Sequence, residues 1–188
     1  GTPIPAVFGR MRVAGSVIWA TDLVESRTKS GGKGAPKTIN YSYSVSFAVA
    51  LSSRPATRIG RIWADGKLLR EDGGALSSGG ALRFYSGNGA QMPDPLIAAD
   101  IGADQCPAFR GLAYAVVEDM PLAEFGNRIP SLTFEVIADE APVSLDTIAQ
   151  YASDGRLIAP DAAPLIGYAA EGTDLDAWLS SLITAERR

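Results

Sequence analysis

Six carboxylates in the second half of the sequence are the residues best suited to chemistry: Glu118, Asp119, Glu124, Glu135, Asp139 and Glu140. Glycoside cleavage needs only two carboxyl groups at a set separation, one as the acid and the other as base or nucleophile. Acidic residues are also common at strand ends and in turns, and nothing in the spacing of these six selects a pair. Glycan cleavage is therefore an alternative and not the leading hypothesis.

The sequence contains no histidine, which removes the commonest general base and the commonest zinc ligand. A Ser-His-Asp triad is excluded for the same reason. Gly31-Gly-Lys-Gly34 resembles a phosphate-binding loop, but the GxxxxGK[ST] spacing is absent and an alanine follows Gly34. A flexible linker with a solvated lysine is the simpler interpretation. We therefore expect no enzymatic activity, no cofactor and no metal site.

Composition points to a globular protein with no specific affinity for nucleic acid. The 188 residues fit one large domain or two small ones, and 46% of them are hydrophobic. The net charge of -4 and the pI near 4.9 disfavour a surface that follows phosphates. A local basic cluster is present nevertheless, at Arg54, Arg58, Arg61, Lys67 and Arg70.

The single cysteine, the apolar runs and the two ends of the sequence say little about function. Cys106 is the only cysteine, so no intrachain disulfide can form, and we expect it to be a partly buried small residue. No apolar run approaches the roughly 18 residues of a membrane-spanning helix. The first residues, Gly1 to Pro5, and the last, Glu186 to Arg188, look cut, so we expect a piece of a longer protein.

The strongest strand signal runs from Tyr41 to Leu51, where odd positions are large and apolar and even positions are only Ser or Ala. Exposure to solvent is the expected state of the Ser/Ala face, because antiparallel sheets commonly leave one face wet. Close approach of a neighbouring surface is the alternative.

Further strands and turns precede and follow it. We expect a strand over Val13 to Val24 that is broken at Gly15 and has Val17 and Trp19 on one face. A mobile hairpin tip should follow over Ser26 to Lys37, and a hairpin should turn at Asp65-Gly66. Further along, we expect a short strand at Leu82 to Tyr85 and a helix capped by Asp94.

The segment from Ala108 to Val136 reads as two strands, Gly111 to Val117 and Leu132 to Ile137, joined by a connector rich in proline, glycine and asparagine. The connector places apolar side chains outside regular pairing, and these must cover something: Leu122, Phe125 and Ile129. We favour assembly as the use of this segment. The simpler alternative is an ordinary crossover loop that turns at Gly126-Asn127 and packs Phe125 on its own sheet.

The composition shifts near Asp139, where helical patterns replace strands. We expect a helix from Ser144 to Gly155, a strand over Ile166 to Ala170, and a last helix capped by Thr173. The sequence thus predicts a β-dominated α+β fold with antiparallel sheets or a partial barrel. It also predicts a β-rich domain over residues 1–140 and a small helix-strand-helix segment over 141–188.

Several motifs occur in an order that resembles the tail-hub region of large phage tail-tip proteins, in particular the baseplate "megatron" protein of gene transfer agents and related siphophages. The motifs are Ile4 to Trp19, Tyr41 to Leu51 with Ile59 to Gly66, Arg83 to Gly87, Pro93 to Ile97, Phe109 to Tyr114 and Pro121 to Val136. The resemblance covers roughly residues 4–138, and it is weaker from Pro142 onward, which would belong to the next hub segment.

The resemblance implies a virion structural protein: a trimeric hub that closes the distal end of a tail tube and connects it to host-contact domains. It implies a distal tail protein and other tail-tip proteins as partners, synthesis in the bacterial cytoplasm, and a final position at the tail tip. On this basis we expect an assembly interface at Phe125, Asn127, Arg128, Ile129 and Trp178. The alternative function is a carbohydrate-active or receptor-binding domain with a groove lined by Tyr41, Tyr43 or Tyr85 beside carboxylates.

Overall fold

The computed structural model describes residues 3–30, 38–158, 164–171 and 178, which form mostly antiparallel β-strands. The strands are β1 (Ala6–Ala14), β2 (Ser16–Ala20), β3 (Val24–Ser30), β4 (Thr38–Ser52), β5 (Arg58–Ala64), β6 (Lys67–Arg70), β7 (Ala81–Tyr85), β8 (Ala113–Pro121), β9 (Leu132–Ile137), β10 (Val143–Ser144), β11 (Pro164–Leu165) and β12 (Gly167–Ala170). The helices are α1 (Pro95–Ile101), α2 (Leu145–Ala152) and a short 3-10 turn at Ala123–Phe125. This confirms the predicted β-dominated α+β fold.

Two five-stranded sheets pack against each other. The first has the order β12-β1-β9-β5-β6, and the second has the order β2-β4-β8-β7 with β3 added beside β4. Their facing sides share one core, to which β4 contributes Val45, Phe47, Val49 and Leu51 and β9 contributes Phe134. Burial of this apolar surface is the main stabilising contribution to such a two-layer arrangement.

Each sheet is also covered on its outer side. Ile97 of α1 packs on the outer side of the second sheet against Ala48, Tyr114 and Val116. On the outer side of the first sheet, Phe8 packs with Ile148 of α2. Helices therefore lie on the outer sides of both sheets.

The expectation that solvent covers the small face of β4 is wrong from Ser46 onward, where Ser46, Ala48, Ala50 and Ser52 are nearly inaccessible. At the start of the strand Ser42 is exposed and Ser44 is half-buried. Tyr114 of the neighbouring strand packs with Ala48 on this side. Small residues are needed here because a helix and a large aromatic ring approach the sheet closely.

The predicted hairpin is confirmed, since β5 and β6 pair across Asp65 and Gly66, both with positive φ (48° and 81°). That geometry belongs to the two-residue hairpin turn that Asp-Gly favours. Gly15 separates β1 from β2 as expected. A bulge after Val17, however, pairs it with Val49 but pairs Trp19 with Ala48. Because Val49 and Ala48 face opposite sides, the prediction that Val17 and Trp19 share a face is wrong.

The predicted hairpin tip begins later than expected. Residues Val24 to Ser30 pair in register with β4, so the segment after Ser26 is a strand. The Gly-rich stretch 31–37 lies outside the described residues.

The C-terminal segment joins the first sheet. β12 pairs antiparallel with β1, with Ala6 opposite Ala170. α2 begins at its cap Ser144, whose hydroxyl accepts a hydrogen bond from Thr147 N. The last predicted helix lies outside the described residues except for Trp178. The division at residue 140 stays a prediction.

Candidate assembly interface

The connector between β8 and β9 carries the chain from the second sheet to the first. Its first residue, Leu122, is completely buried in the shared core. Leu122 N donates to Tyr43 O at 2.8 Å, and Leu122 O accepts from Asn127 N at 3.0 Å. The two predicted strands on either side are confirmed, but they belong to different sheets.

Phe125 and Ile129 are half-buried and pack against the core that the sheets share. Gly126 and Asn127 both have positive φ (65° and 57°), which glycine and asparagine tolerate best. This is the arrangement of a crossover loop packed on its own sheets. The remaining parts of Phe125, Asn127 and Ile129 are exposed at the surface of the connector.

Arg128 is exposed and holds the connector to the β5–β6 hairpin. Its guanidinium lies 2.9 Å from Asp65 Oδ2, and Ser131 N donates to Asp65 Oδ1 at 3.0 Å. The Ser131 amide and the Arg128 guanidinium hold the pKa of Asp65 below its usual range. Asp65 N donates in turn to Ser131 O at 2.9 Å. Arg128 therefore has a role within the chain and leaves part of its guanidinium open to solvent.

Trp178 lies elsewhere, on the outer side of the first sheet. Its ring stacks on Tyr151 with centroids 6.0 Å apart and meets Phe8 edge-on at 6.2 Å. Tyr168 Oη donates to the Trp178 carbonyl, and the Arg54 guanidinium lies 4.5 Å from the centre of the Phe8 ring. The structure thus brings the four connector residues together and places Trp178 in a separate aromatic cluster.

Four of the six candidate carboxylates bind arginines. The pairs are Glu118 with Arg83, Glu135 with Arg61 and Arg10, Asp139 with Arg54, and Glu140 with Arg58. Asp119 accepts from the Ser46 hydroxyl, and Glu124 is exposed on the 3-10 turn. The carboxylates are spread over both sheets.

The pKa values of Glu135 and Asp139 are shifted in the direction opposite to the shift that a general acid needs. The Arg61 side chain lowers the pKa of Glu135 although the carboxylate is buried. Burial alone would raise the pKa of Asp139, but Arg54 and the Gly9 amide outweigh it and hold the pKa below its usual range. A glycosidase acid needs a raised pKa. These two carboxylates are suited to structural ion pairs.

The tyrosines expected in a glycan groove face different sides of the second sheet. Tyr43 packs against the core between the sheets, whereas Tyr85 stacks on Tyr114 at 4.5 Å on the outer side. The phenol of Tyr43 donates to Glu25, and that of Tyr85 donates to the buried Asp94. Tyr85 therefore does not share a groove with Tyr43, whereas the exposed Tyr41 lies on the same face of the sheet as Tyr43 and Glu25.

A cleft of about 720 Å³ lies beside β1 and β2. Its walls are mostly apolar, including Ile4, Val13 and Val17, and Arg12 and Glu171 are the only charged residues that line it. The Arg12 guanidinium lies 3.9 Å from the centre of the Trp63 ring and donates to Thr133. Among the described residues, Glu171 is therefore the only carboxylate that lines this cleft.

The Ser-x-x-Lys spacing of β-lactamases and penicillin-binding proteins occurs twice, at Ser26 to Lys29 and at Ser30 to Lys33. Ser26 and Lys29 lie on β3, where residues three apart face opposite sides, so the hydroxyl and the amine point away from each other. Lys33 lies outside the described residues. Within the described ranges, no cluster of acidic or cysteine side chains could hold a metal ion. None of the helices described is long and apolar enough to cross a membrane.

Sequence reasoning found Asp94 as a helix cap but missed the buried polar centre around it. Asp94 is completely buried, and its Oδ2 accepts from Arg83 Nε at 2.9 Å and from Tyr85 Oη at 2.7 Å. Arg83 and Tyr85 are two residues apart on β7 and therefore point to the same side of the sheet. The spacing of Arg83 and Tyr85 on a predicted strand was the sequence signal that could have pointed to this centre. The centre fixes α1 on the second sheet.

The informative comparison is with solved structures. No protein-family model matches the sequence, and no curated protein sequence matches it either. Among solved structures, the fold superposes on a chain of the structure described as "Virion of native gene transfer agent (GTA) particle", with a TM-score of 0.73 and 30% sequence identity. This chain is similar to a virion protein. The match covers 98% of this chain and 48% of the virion chain, so this chain spans about half the length of the protein that it matches.

Proposed function

We propose that this chain is a structural part of a phage-like tail tip, where it forms the hub that closes the distal end of the tail tube and connects it to host-contact domains. The observation that carries the proposal is the match over 98% of the chain, at 30% identity and a TM-score of 0.73, to a chain of a gene transfer agent virion. At that identity the likeness extends beyond the fold to the sequence.

The distribution of charge supports a structural role. Arginines bind Glu118, Glu135, Asp139 and Glu140, and these pairs connect strands and loops that are far apart in the sequence. Such pairs hold elements in register. The glycan-binding alternative has no comparable support, because the match to a virion chain does not bear on it and Tyr85 lies on the other side of the sheet from Tyr41 and Tyr43.

The assembly that we propose is a homotrimer on the tail, bound to a distal tail protein and to other tail-tip proteins. The connector surface of Phe125, Asn127, Arg128 and Ile129 and the aromatic cluster of Trp178 are the proposed contacts. Aromatic and arginine side chains are enriched in interfaces, which is consistent with this choice. We further propose that residues 141–188 begin the next part of the hub.

The position in the particle is tested by imaging. Particles carrying a gold label or a small fused domain on this protein should show density at the tail tip, and particles lacking the protein should have open or missing tips. Labels on the capsid or the tail shaft, or particles with normal tips in the absence of the protein, would overturn the proposal.

The contact residues are tested by Arg128→Gln. Because the Arg128–Asp65 pair is solvent-exposed, its loss should change the free energy of unfolding by less than about 1 kcal/mol. Incorporation into particles, measured by quantitative mass spectrometry, should fall about tenfold, since a desolvated arginine contact is worth more in an interface. Arg156→Gln, an exposed arginine after α2, is the matched control and should leave incorporation unchanged. Equal incorporation of both variants would remove Arg128 from the interface.

A further inference from the structure

β3 and the first part of β4 form a two-stranded ribbon that extends beyond the second sheet. Seven residue pairs connect the strands, from Val24 opposite Ser44 to Ser30 opposite Thr38. β8 pairs with β4 only from Ser44 onward, and β2 pairs with β4 only over residues 47–50. Residues 38–43 of β4 therefore have β3 as their only strand partner within the described part of the chain.

The two faces of the ribbon differ in chemistry. In the register of the pairs, Arg27 lies opposite Tyr41 and Lys29 lies opposite Ile39, so cationic and apolar side chains share one face. The other face, apart from Val24, is built from small hydroxyl and amide residues such as Ser26, Thr28 and Asn40. We call the first of these the cationic face.

The described part of the chain leaves the cationic face exposed to solvent. Tyr41 is 49% exposed and Ile39 is 48% exposed. The Arg27 guanidinium lies 5.1 Å from the centre of the Tyr41 ring, and it also binds Glu25 at 2.8 Å. Because a two-stranded ribbon alone is marginally stable in water, a surface that covers this face would stabilise it.

Charge indicates what that surface is. The described ribbon residues carry Arg27, Lys29 and Glu25, a net charge of +1, and the sequence of residues 24–43 as a whole has a net charge of +3. The rest of the chain holds the other 13 cations and 20 carboxylates, a net charge of -7. A basic projection on an acidic body is complementary to the body of another copy, and complementary potentials favour association.

We propose that the β3–β4 ribbon is an arm whose cationic face, with Arg27, Lys29, Ile39 and Tyr41, binds the acidic surface of a second copy of this chain. The contact joins two different surfaces, an arm and a body, and contacts of that type close into rings when the rotation between copies allows it. This inference rests on the proposed function, since it names the partner that the arm would meet in a homo-oligomeric hub.

The first test is site-specific photo-cross-linking in assembled particles. A photoreactive phenylalanine analogue replaces Tyr41 on the cationic face, and the same analogue at Ser42, which points to the opposite face, is the matched control. We expect a product of twice the protein mass from position 41, with peptides of the acidic body at the cross-link, and at least fivefold less product from position 42. Cross-links from position 41 to a different protein, to DNA or only within one chain would overturn the proposal, as would equal yields from both positions.

The second test separates this inference from the proposed function. Arg27→Glu combined with Lys29→Glu reverses the charge of the cationic face, whereas Ser26→Glu combined with Thr28→Glu adds the same type of residue to the other face. Native mass spectrometry of each protein should show at least tenfold less oligomer for the first pair only. If both variants oligomerise and reach the tail tip normally, the arm proposal fails and the hub survives. If the unaltered protein is a monomer in particles, the hub itself fails.

Discussion

At the scale of single residues, Asp94 is the most constrained group in the described part of the chain. Its Oδ1 accepts from Leu96 N and Ile97 N, which caps α1, while its Oδ2 accepts from Arg83 and Tyr85. Burial alone would raise the pKa of Asp94, but Arg83, Tyr85 and the Ile97 amide outweigh that effect and hold the pKa below its ordinary value of 3.8. The carboxylate is thus kept charged inside the protein.

We expect Asp94→Asn to lower the free energy of unfolding by about 3 kcal/mol, because the Arg83 guanidinium would lose its buried counter-charge. Chemical denaturation at neutral pH measures this change. The matched control is Asp72→Asn, since Asp72 is half-exposed and pairs with Arg58 at the surface. That variant should lose less than about 1 kcal/mol. Equal losses would show that burial does not set the strength of the Asp94 pair.

The same carboxylate gives a pH dependence of defined sign. Because the pKa of Asp94 is lower in the folded than in the unfolded state, its contribution is present above the ordinary value of 3.8 and disappears as the pH falls through the folded pKa. The difference in stability between the unaltered protein and Asp94→Asn should therefore shrink on acidification below about pH 4. A difference that stayed constant down to pH 2 would contradict this account.

At the scale of elements, β4 shows how one strand serves two cores. Its large residues, such as Phe47, fill the space between the sheets, and Ala48 lies beneath Tyr114 and Ile97 on the outer side. Every side chain from Val45 to Leu51 is buried as a result. The strand therefore tolerates little change in volume on either face along this stretch.

We expect Ala48→Leu to destabilise the protein by about 1 to 3 kcal/mol, since the extra atoms would collide with Tyr114 and Ile97. Ser42→Leu, on the same side of the same strand but exposed on the ribbon, should change stability by less than about 0.5 kcal/mol. Urea unfolding of both variants provides the comparison. A neutral Ala48→Leu would mean that α1 is displaced easily from the sheet.

The local pattern of β4 was sufficient to predict the strand, but not what lies on its small face. Alternation of large residues with Ser and Ala is compatible both with solvent and with a closely packed helix. The choice depends on α1, whose position is set by Asp94 and by residues far along the sequence. For the same reason the sequence was sufficient to recognise the connector, but not to predict that β8 and β9 belong to different sheets. β8 is placed by its partner β4, and β9 is placed by β1 and β5.

At the scale of the whole molecule, the pairing of β12 with β1 ties the segment after residue 140 to the first sheet. The two backbones approach closely at Gly167, where a Cβ atom would lie 2.0 Å from Arg10 O. Phe8 of β1 also packs with Val143 and Ile148 from this segment. Strand pairing and side-chain packing thus both span the predicted boundary.

We expect Gly167→Ala to lower the stability of the whole fold by about 2 to 3 kcal/mol, because backbone atoms cannot move aside as a flexible side chain does. Gly89→Ala is the control, since no atom lies within 4 Å of its added Cβ, and it should be nearly neutral. Thermal unfolding followed by calorimetry should give a single transition that moves to lower temperature. Two transitions, of which only the smaller moves, would show that residues 141–188 fold separately.

The pairing of Ala6 with Ala170 has a consequence for how this fold can be carried by longer polypeptides. β1 is the first described strand and β12 the last, and these two strands are direct neighbours at one edge of the first sheet. Units whose ends meet in this way can be inserted into a surface loop of another protein, or circularly permuted, with little disturbance to either partner. In evolution, such a unit can be gained, exchanged or lost as a single cassette while the flanking parts of the host protein keep their own contacts.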